Sequence, residues 1–183
     1  MIRFGLPTLL AWGALLLPLA VRAQPLQIFG DDENVEKKQA VELEVKLPPM
    51  PKTENLVPFE ASAANTNNFF IDATSILIGD DGIVRYTMVV KSPSGAENIS
   101  YEGMRCDTTE QKTYAYGRHD GTWSSTRAPA WKKIVYKDIN RQHAVLYSHY
   151  FCPDGEPIRS AKDAIQRFKY GVPYGQPPRS SNR

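Results

Sequence analysis

The stretch that decides the fold is Gly79–Cys106, GDDGIVRYTMVVKSPSGAENISYEGMRC. Asp80-Asp81-Gly82 is a turn signal, because glycine tolerates the positive φ that such turns require. Ile83–Lys91 follows, rich in Val, Ile, Tyr and Thr, and reads as a strand. Ser92-Pro93-Ser94-Gly95 is a second turn: proline presets one φ and glycine supplies the permissive position. Ala96–Arg105 is the return strand. A loop of those four residues sets Lys91 opposite Ala96. Tyr86 then faces Tyr101 and Met88 faces Ile99, while Arg85 meets Glu102, Thr87 meets Ser100 and Val89 meets Asn98. This register gives one apolar, aromatic face and one polar face carrying an Arg85–Glu102 ion pair. A slip of one residue would exchange the faces. If a partner covers the polar face, Arg85 and Glu102 are candidate binding residues.

Outward from the hairpin, Val41–Leu47 alternates strictly. Val41, Leu43, Val45 and Leu47 point one way and Glu42, Glu44 and Lys46 the other, the pattern of a half-buried strand. Pro48, Pro49, Pro51 and Pro58 force an extended connection, read as a linker in preference to a proline-rich ligand for a partner domain. Glu60–Asn68 is a small, polar loop, and Phe69–Ile78 is a further strand. Downstream, Lys112–Gly117 reads as a strand, His119-Asp120-Gly121 as a turn and Thr122–Thr126 as a return strand. A four-residue loop sets Tyr116 opposite Trp123 and a two-residue loop shifts that pairing; both stay open. Pro129 breaks the chain before Trp131. Asp138 caps a helix over Ile139–Phe151, with Ile139, His143, Leu146, Tyr147 and Tyr150 on one face. Ser160-x-x-Asp163 resembles a capping box opening a second helix, to which Ile165 and Phe168 give an apolar side, and Gly171 stops it. Strands come first and helices last. The expected fold is therefore α+β: an antiparallel sheet of about five to six strands with two C-terminal helices on one face.

Near its start the 183-residue chain carries Arg3 and then an apolar run, Phe4–Val21, broken by Pro7, Gly13 and Pro18. Val21-Arg22-Ala23 completes the pattern of a secretory signal peptide cleaved after Ala23, which places the mature protein in the periplasm. No cysteine follows that site to carry a lipid, and no later stretch is long and apolar enough to span a bilayer. Residues 24–39 read as a flexible acidic arm, 40–171 as a single domain and 172–183 as a disordered basic tail. Loss of Arg3 and Arg22 lowers the 22 basic residues to 20, matching the 20 acidic ones. A nucleic-acid partner would call for far more positive charge. Two cysteines in an exported chain predict one disulfide, Cys106–Cys152, and no Cys-x-x-Cys redox motif exists.

The histidines are His119, His143 and His149. His119 and Asp120 are adjacent on a turn, where a base and its orienter rarely meet. His143 and His149 are six apart, not at the i, i+4 spacing of helical zinc ligands. Asp72, Asp80, Asp81 and Asp107 lack EF-hand spacing and read as turn chemistry. Neither a Gly-x-Ser-x-Gly elbow nor a phosphate-binding Gly-x-x-x-x-Gly-Lys loop occurs. The sequence thus proposes no catalytic residue, no metal ligand and no cofactor. Its remaining candidates are Tyr114, Tyr116, Trp123 and Trp131, within eighteen residues. Buried, they fill the core of a small sheet; exposed together, they stack on sugar rings or on a partner's side chains.

Several of these segments, Gly79–Tyr86, Ser92–Ala96, Tyr101–Cys106 and Tyr114–Arg118, followed by Trp123 and Trp131, resemble the cryptic neisserial protein-like family. The likeness runs over roughly Leu47–Phe168. It implies an exported envelope protein of proteobacteria and supplies no catalytic residue to carry over. The expected function is a non-enzymatic envelope interaction module whose partner is an envelope protein or a glycan, not a nucleic acid. Two alternatives are a small envelope hydrolase, using His119 or His143 with a carboxylate from another segment, and a glycan-binding module using the Tyr/Trp group.

Overall fold

The computed structural model describes residues 41–61, 66–135 and 141–170. The expected signal peptide, acidic arm, basic tail and Asp138 cap lie outside the described residues.

Three hairpin turns share one geometry, and that geometry sets the register of the sheet. The N–H of Gly82, Gly95 and Gly121 reaches back to the carbonyl of Gly79, Ser92 and Arg118, at 2.9, 3.0 and 3.1 Å. Each loop closes through a second bond, from Gly79 N–H to Ile83, Ser92 N–H to Ala96 and Arg118 N–H to Thr122. The three glycines have φ of 72, 85 and 78°. This is a type I turn followed by a left-handed residue, the three-residue hairpin loop with a glycine bulge. Its length moves the central register one residue from the four-residue expectation. Lys91 pairs with Glu97, Val89 with Ile99, Met88 with Ser100, Thr87 with Tyr101, Tyr86 with Glu102 and Arg85 with Gly103. The Arg85–Glu102 cross-strand pair therefore does not exist, and the two side chains point to opposite faces. The expected division into an apolar and a polar face goes with it. In the later hairpin the same loop sets Tyr116 against Ser124 and Gly117 against Trp123.

The antiparallel sheet runs β1 (Leu56–Phe59), β2 (Asn68–Asp72), β4 (Ile83–Lys91), β5 (Glu97–Arg105), β6 (Glu110–Gly117) and β7 (Trp123–Ser125). Two short strands, β3 (Leu77–Ile78) and β8 (Lys132–Lys133), pair with β4 and β6. Pro58 is tolerated in β1 because β1 is the edge strand. The single strand expected over Phe69–Ile78 is broken by a 3-10 turn, Ala73–Ser75. Asp72 Oδ1 accepts bonds from Thr74 N–H and Oγ1, and Ser75 Oγ donates to the Asp72 carbonyl while accepting the Thr87 N–H. Local polar bonding of this kind outcompetes strand continuation.

Strand β4 is buried on both faces from Ile83 to Val89. On one face Val84, Tyr86, Met88 and Met104 join Phe59, Phe69 and Ile71 in the main core. Helix α1 (Arg141–Val145), continued by a π-helical turn over Leu146–Phe151, and α2 (Ala161–Tyr170) cover that face. Tyr86 stacks on Phe151 at 4.7 Å and Tyr150 on Phe168 at 4.2 Å. Ser160 caps α2 by accepting the Asp163 N–H at 3.2 Å. The Cys106–Cys152 disulfide, with Cα atoms 5.3 Å apart, ties the sheet just after β5 to the end of the first helical segment.

The other face includes Ile83, Arg85, Thr87, Val89, Tyr101 and Ala115, all buried yet outside that core. Residues 41–51, hereafter the strap, pass across it. The strap is not the strand that its alternation suggests. Val41, Leu43 and Leu47 are exposed, at 88, 49 and 39%, while Glu42, Val45 and Pro48 turn inward. Inward residues recur every third position, the period of a polyproline-type chain rather than of a pleated strand. The strap pairs with no strand of the sheet, so no ladder imposes a period of two.

Candidate functional site

The strap is seated by side chains, and Glu42 is its main anchor. Lys112 Nζ lies 2.8 Å from Glu42 Oε2, and the Tyr114 hydroxyl donates to Oε1 at 2.8 Å. The Trp131 indole N–H donates to Oε2 at 3.3 Å, and Arg105 stands at 3.9 Å. Arg105 lies over the Trp131 ring, 4.1 Å from its centroid, with Lys112 at 5.2 Å from the same ring. One carboxylate thus meets two cations, a phenol and an indole. Burial pushes the Glu42 carboxyl up, but hydrogen bonds from Lys112 and Tyr114 and the Lys112 charge outweigh it and hold the group below the ordinary carboxylate range. Burial and the bond to Glu42 push the Tyr114 hydroxyl up.

Six residues on, the Trp123 indole donates to the Pro48 carbonyl at 2.8 Å. Between these points the Leu43 N–H donates to Asp81 Oδ2 at 2.8 Å. Asp81 in turn forms a buried pair with Arg85, its Oδ2 2.6 Å from Nη2. Burial raises the Asp81 carboxyl, and the bonds from Arg85, Leu43 and Ile83 reverse that to a net lowering. Local backbone geometry makes room for the cage. Tyr101 pairs with Ala115 and Glu102 with Thr113, so Tyr114 is the extra residue of a β-bulge. Its ring lies over Gly103, where an added Cβ would stand 2.5 Å from the phenolic oxygen.

A second polar cluster lies in the helix-covered face. His143 Nε2 on α1 is 2.8 Å from Glu102 Oε2, and the two side chains are 13 and 4% exposed. Tyr86 donates to Oε2 at 3.1 Å and Ser100 to Oε1 at 2.7 Å. Burial favours neutral Glu102, yet the His143 charge and the bonds from His143, Ser100 and Tyr86 outweigh it and lower its pKa. Burial likewise pulls His143 down, and the Glu102 charge and hydrogen bond reverse this to a net rise. The arrangement is a desolvated ion pair with every contact charge-assisted.

The residues singled out from sequence divide as follows. Tyr114, Trp123 and Trp131 gather on the strap face. Tyr116 does not join them: it opposes Ser100, on the Glu102 side, and is 54% exposed. Arg85 lies beneath the strap and Glu102 in the helix-covered core, so these two never meet. Sequence reasoning missed Glu42, Arg105 and Lys112. No local pattern marks them: the alternation over 41–47 turns Glu42 away from the core, and its cations lie more than sixty residues along the chain. It also missed Asp81 as an ion-pair partner. Among the described residues, no group of three His, Cys, Asp or Glu is placed to hold a metal. No helix among them is long and apolar enough to cross a membrane.

Residues 35–169 match the model of the CNP1-like family. The chain is 25% identical over 154 residues to cryptic neisserial protein 1 of Neisseria gonorrhoeae, an alignment covering 75% of each protein. No solved structure matches the chain.

Proposed function

From the premise that the chain belongs to the CNP1-like family, we propose that it is a non-enzymatic interaction module of the bacterial envelope, exported to the periplasm and stapled there by Cys106–Cys152. The observation that carries this reading is the aromatic–cationic cage of Arg105, Lys112, Tyr114 and Trp131 closed on one carboxylate. Tyr and Trp beside Arg are the residues enriched at recognition surfaces. The disulfide and the leader pattern support the compartment. The test is crosslinking in cells from a photoreactive residue at Ser125, an exposed position on the strap side of β7, against one at Tyr170 on the far end of α2. The reading expects one partner captured from Ser125, lost in Lys112→Glu and absent from Tyr170. Equal capture from both positions, or none, would remove it.

A second reading, a small hydrolase, draws on the Glu102–His143 contact. Against it, the nearby Ser100 hydroxyl donates to Glu102 and not to His143, so nucleophile and base are not in contact as covalent catalysis requires. The pair is better suited to fastening α1 to the sheet. Wild-type and His143→Ala proteins should be equally inert toward ester and peptide substrates, and a hydrolysis rate dependent on His143 would restore the enzyme reading.

A further inference from the structure

We propose that the strap is a tethered occupant of a peptide-binding face, and that the ligand of that face is an extended, acidic segment of a partner protein; the inference rests on the binding reading above. The face is built for a carboxylate: Lys112, Tyr114 and Trp131 all donate to Glu42, with Arg105 behind them. It is also built for a polypeptide. Trp123 reads a main-chain carbonyl, that of Pro48, and Asp81 reads a main-chain N–H, that of Leu43. A polyuronate offers the carboxylate but not this alternation of backbone donor and acceptor. Indole-to-carbonyl contact with an extended, proline-bearing chain is a general mode of peptide recognition. The two anchor points are six residues apart, about 19 Å along a polyproline-type chain.

The strap is attached in a way that permits exchange. It adds no strand to the sheet, so it lifts without unpairing one. Val41, Leu43 and Leu47 face outward and do not hold it down. It ends in Pro49 and Pro51, which stiffen its junction with the domain. A segment that leaves strands the Tyr114, Trp123 and Trp131 donors and the Asp81 acceptor, so the face takes a replacement of the same chemistry rather than standing empty. Tethering holds the strap at an effective concentration on the order of mM, which shields the face from weak competitors.

The test titrates a fluorescein-labelled peptide of sequence VELEVKLPPMP, residues 41–51, into the full chain as the cell produces it and into Glu42→Lys, which repels its own strap from Arg105 and Lys112. Fluorescence anisotropy should show saturable binding to Glu42→Lys at least about tenfold tighter than to wild type. Replacing the first glutamate of the peptide by glutamine should abolish it. A folded Glu42→Lys protein that binds no peptide overturns the inference. Binding of a polyuronate in place of the peptide overturns it too, while leaving the binding reading intact; failure of both ligands, together with no capture from Ser125 in cells, removes both. Should Glu42→Lys not fold, excess peptide with a photoreactive residue in place of the valine before that glutamate, which keeps the carboxylate, is applied to wild type. Attachment at Lys112 or Trp131 supports the proposal, and attachment elsewhere or nowhere refutes it.

Discussion

Replacing His143 by alanine should destabilise the protein strongly, and with a particular pH signature. The substitution leaves the Glu102 carboxylate in the core with only the Tyr86 and Ser100 hydroxyls. Removing one partner of a buried ion pair costs about 3–5 kcal/mol, a large part of the roughly 5–15 kcal/mol that holds such a domain together. The signs fix the pH window. His143 is raised in the fold, so its stabilisation is complete below the ordinary histidine value of about 6.5 and is lost as pH rises through its folded pKa. Glu102 is lowered in the wild type, so its stabilisation is present above about 4.3 and is lost as pH falls through its folded pKa. In His143→Ala the burial of Glu102 is opposed only by the Ser100 and Tyr86 hydroxyls, its pKa rises, and acid relieves the strain. The gap between wild type and variant is therefore widest near pH 6 and narrows toward both about pH 4 and pH 9. Urea unfolding of the disulfide-intact proteins at those three pH values measures it. A difference below about 1 kcal/mol that is the same at all three would be surface-pair behaviour and would refute the reasoning.

Arg85→Ala strands the buried Asp81 carboxylate; unfolding should report a loss of about 3–5 kcal/mol, and a loss under 1 kcal/mol would show that water reaches the pair. Gly95→Ala forces a side chain onto a φ of 85° and should lower stability by about 1–2 kcal/mol with the slope of the denaturation curve unchanged. Gly103→Ala drives a Cβ against the Tyr114 ring; it should cost about 1–3 kcal/mol and shift the Trp131 indole signal as the cage opens. Because Glu42 is lowered in the fold, acid should release the strap only as pH falls below about 4.3, read as the onset of exchange at the Leu43 amide.

Much of the sheet was legible because its punctuation is chemical. Gly82, Gly95 and Gly121 mark the turns, and the β-branched residues of β4 lie between two of them. The disulfide followed from there being only two cysteines. Register was misread for a definable reason. A proline followed two residues later by glycine fits either a four-residue loop or a three-residue loop with a left-handed bulge. The choice between them moves every side chain to the other face. The same x-x-x-Gly spacing in Gly79–Gly82, Ser92–Gly95 and Arg118–Gly121 was the available clue. The strap was misread because strict alternation describes a strand only when a neighbouring strand supplies a ladder of hydrogen bonds, and none of the described strands does. Once unpaired, its orientation is decided by where Glu42 finds cations, which sit on β5 and β6 more than sixty residues away. The Glu102–His143 pair joins a strand to a helix 41 residues apart, a proximity no local spacing encodes.

The seating of the strap is tested most directly by the indole N–H signals of the chain. Of three tryptophans, Trp12 lies in the apolar run Phe4–Val21, and Trp123 and Trp131 each donate to the strap. Their resonances are assigned by Trp→Phe variants and compared between wild type and Glu42→Ala by NMR at neutral pH. The account predicts that both signals move and that both protons lose protection from exchange, since the strap lifts as one piece when its carboxylate is gone. Unchanged, still-protected Trp123 and Trp131 indoles in Glu42→Ala would mean that the carboxylate cage does not seat the strap, and would contradict the binding face built on it.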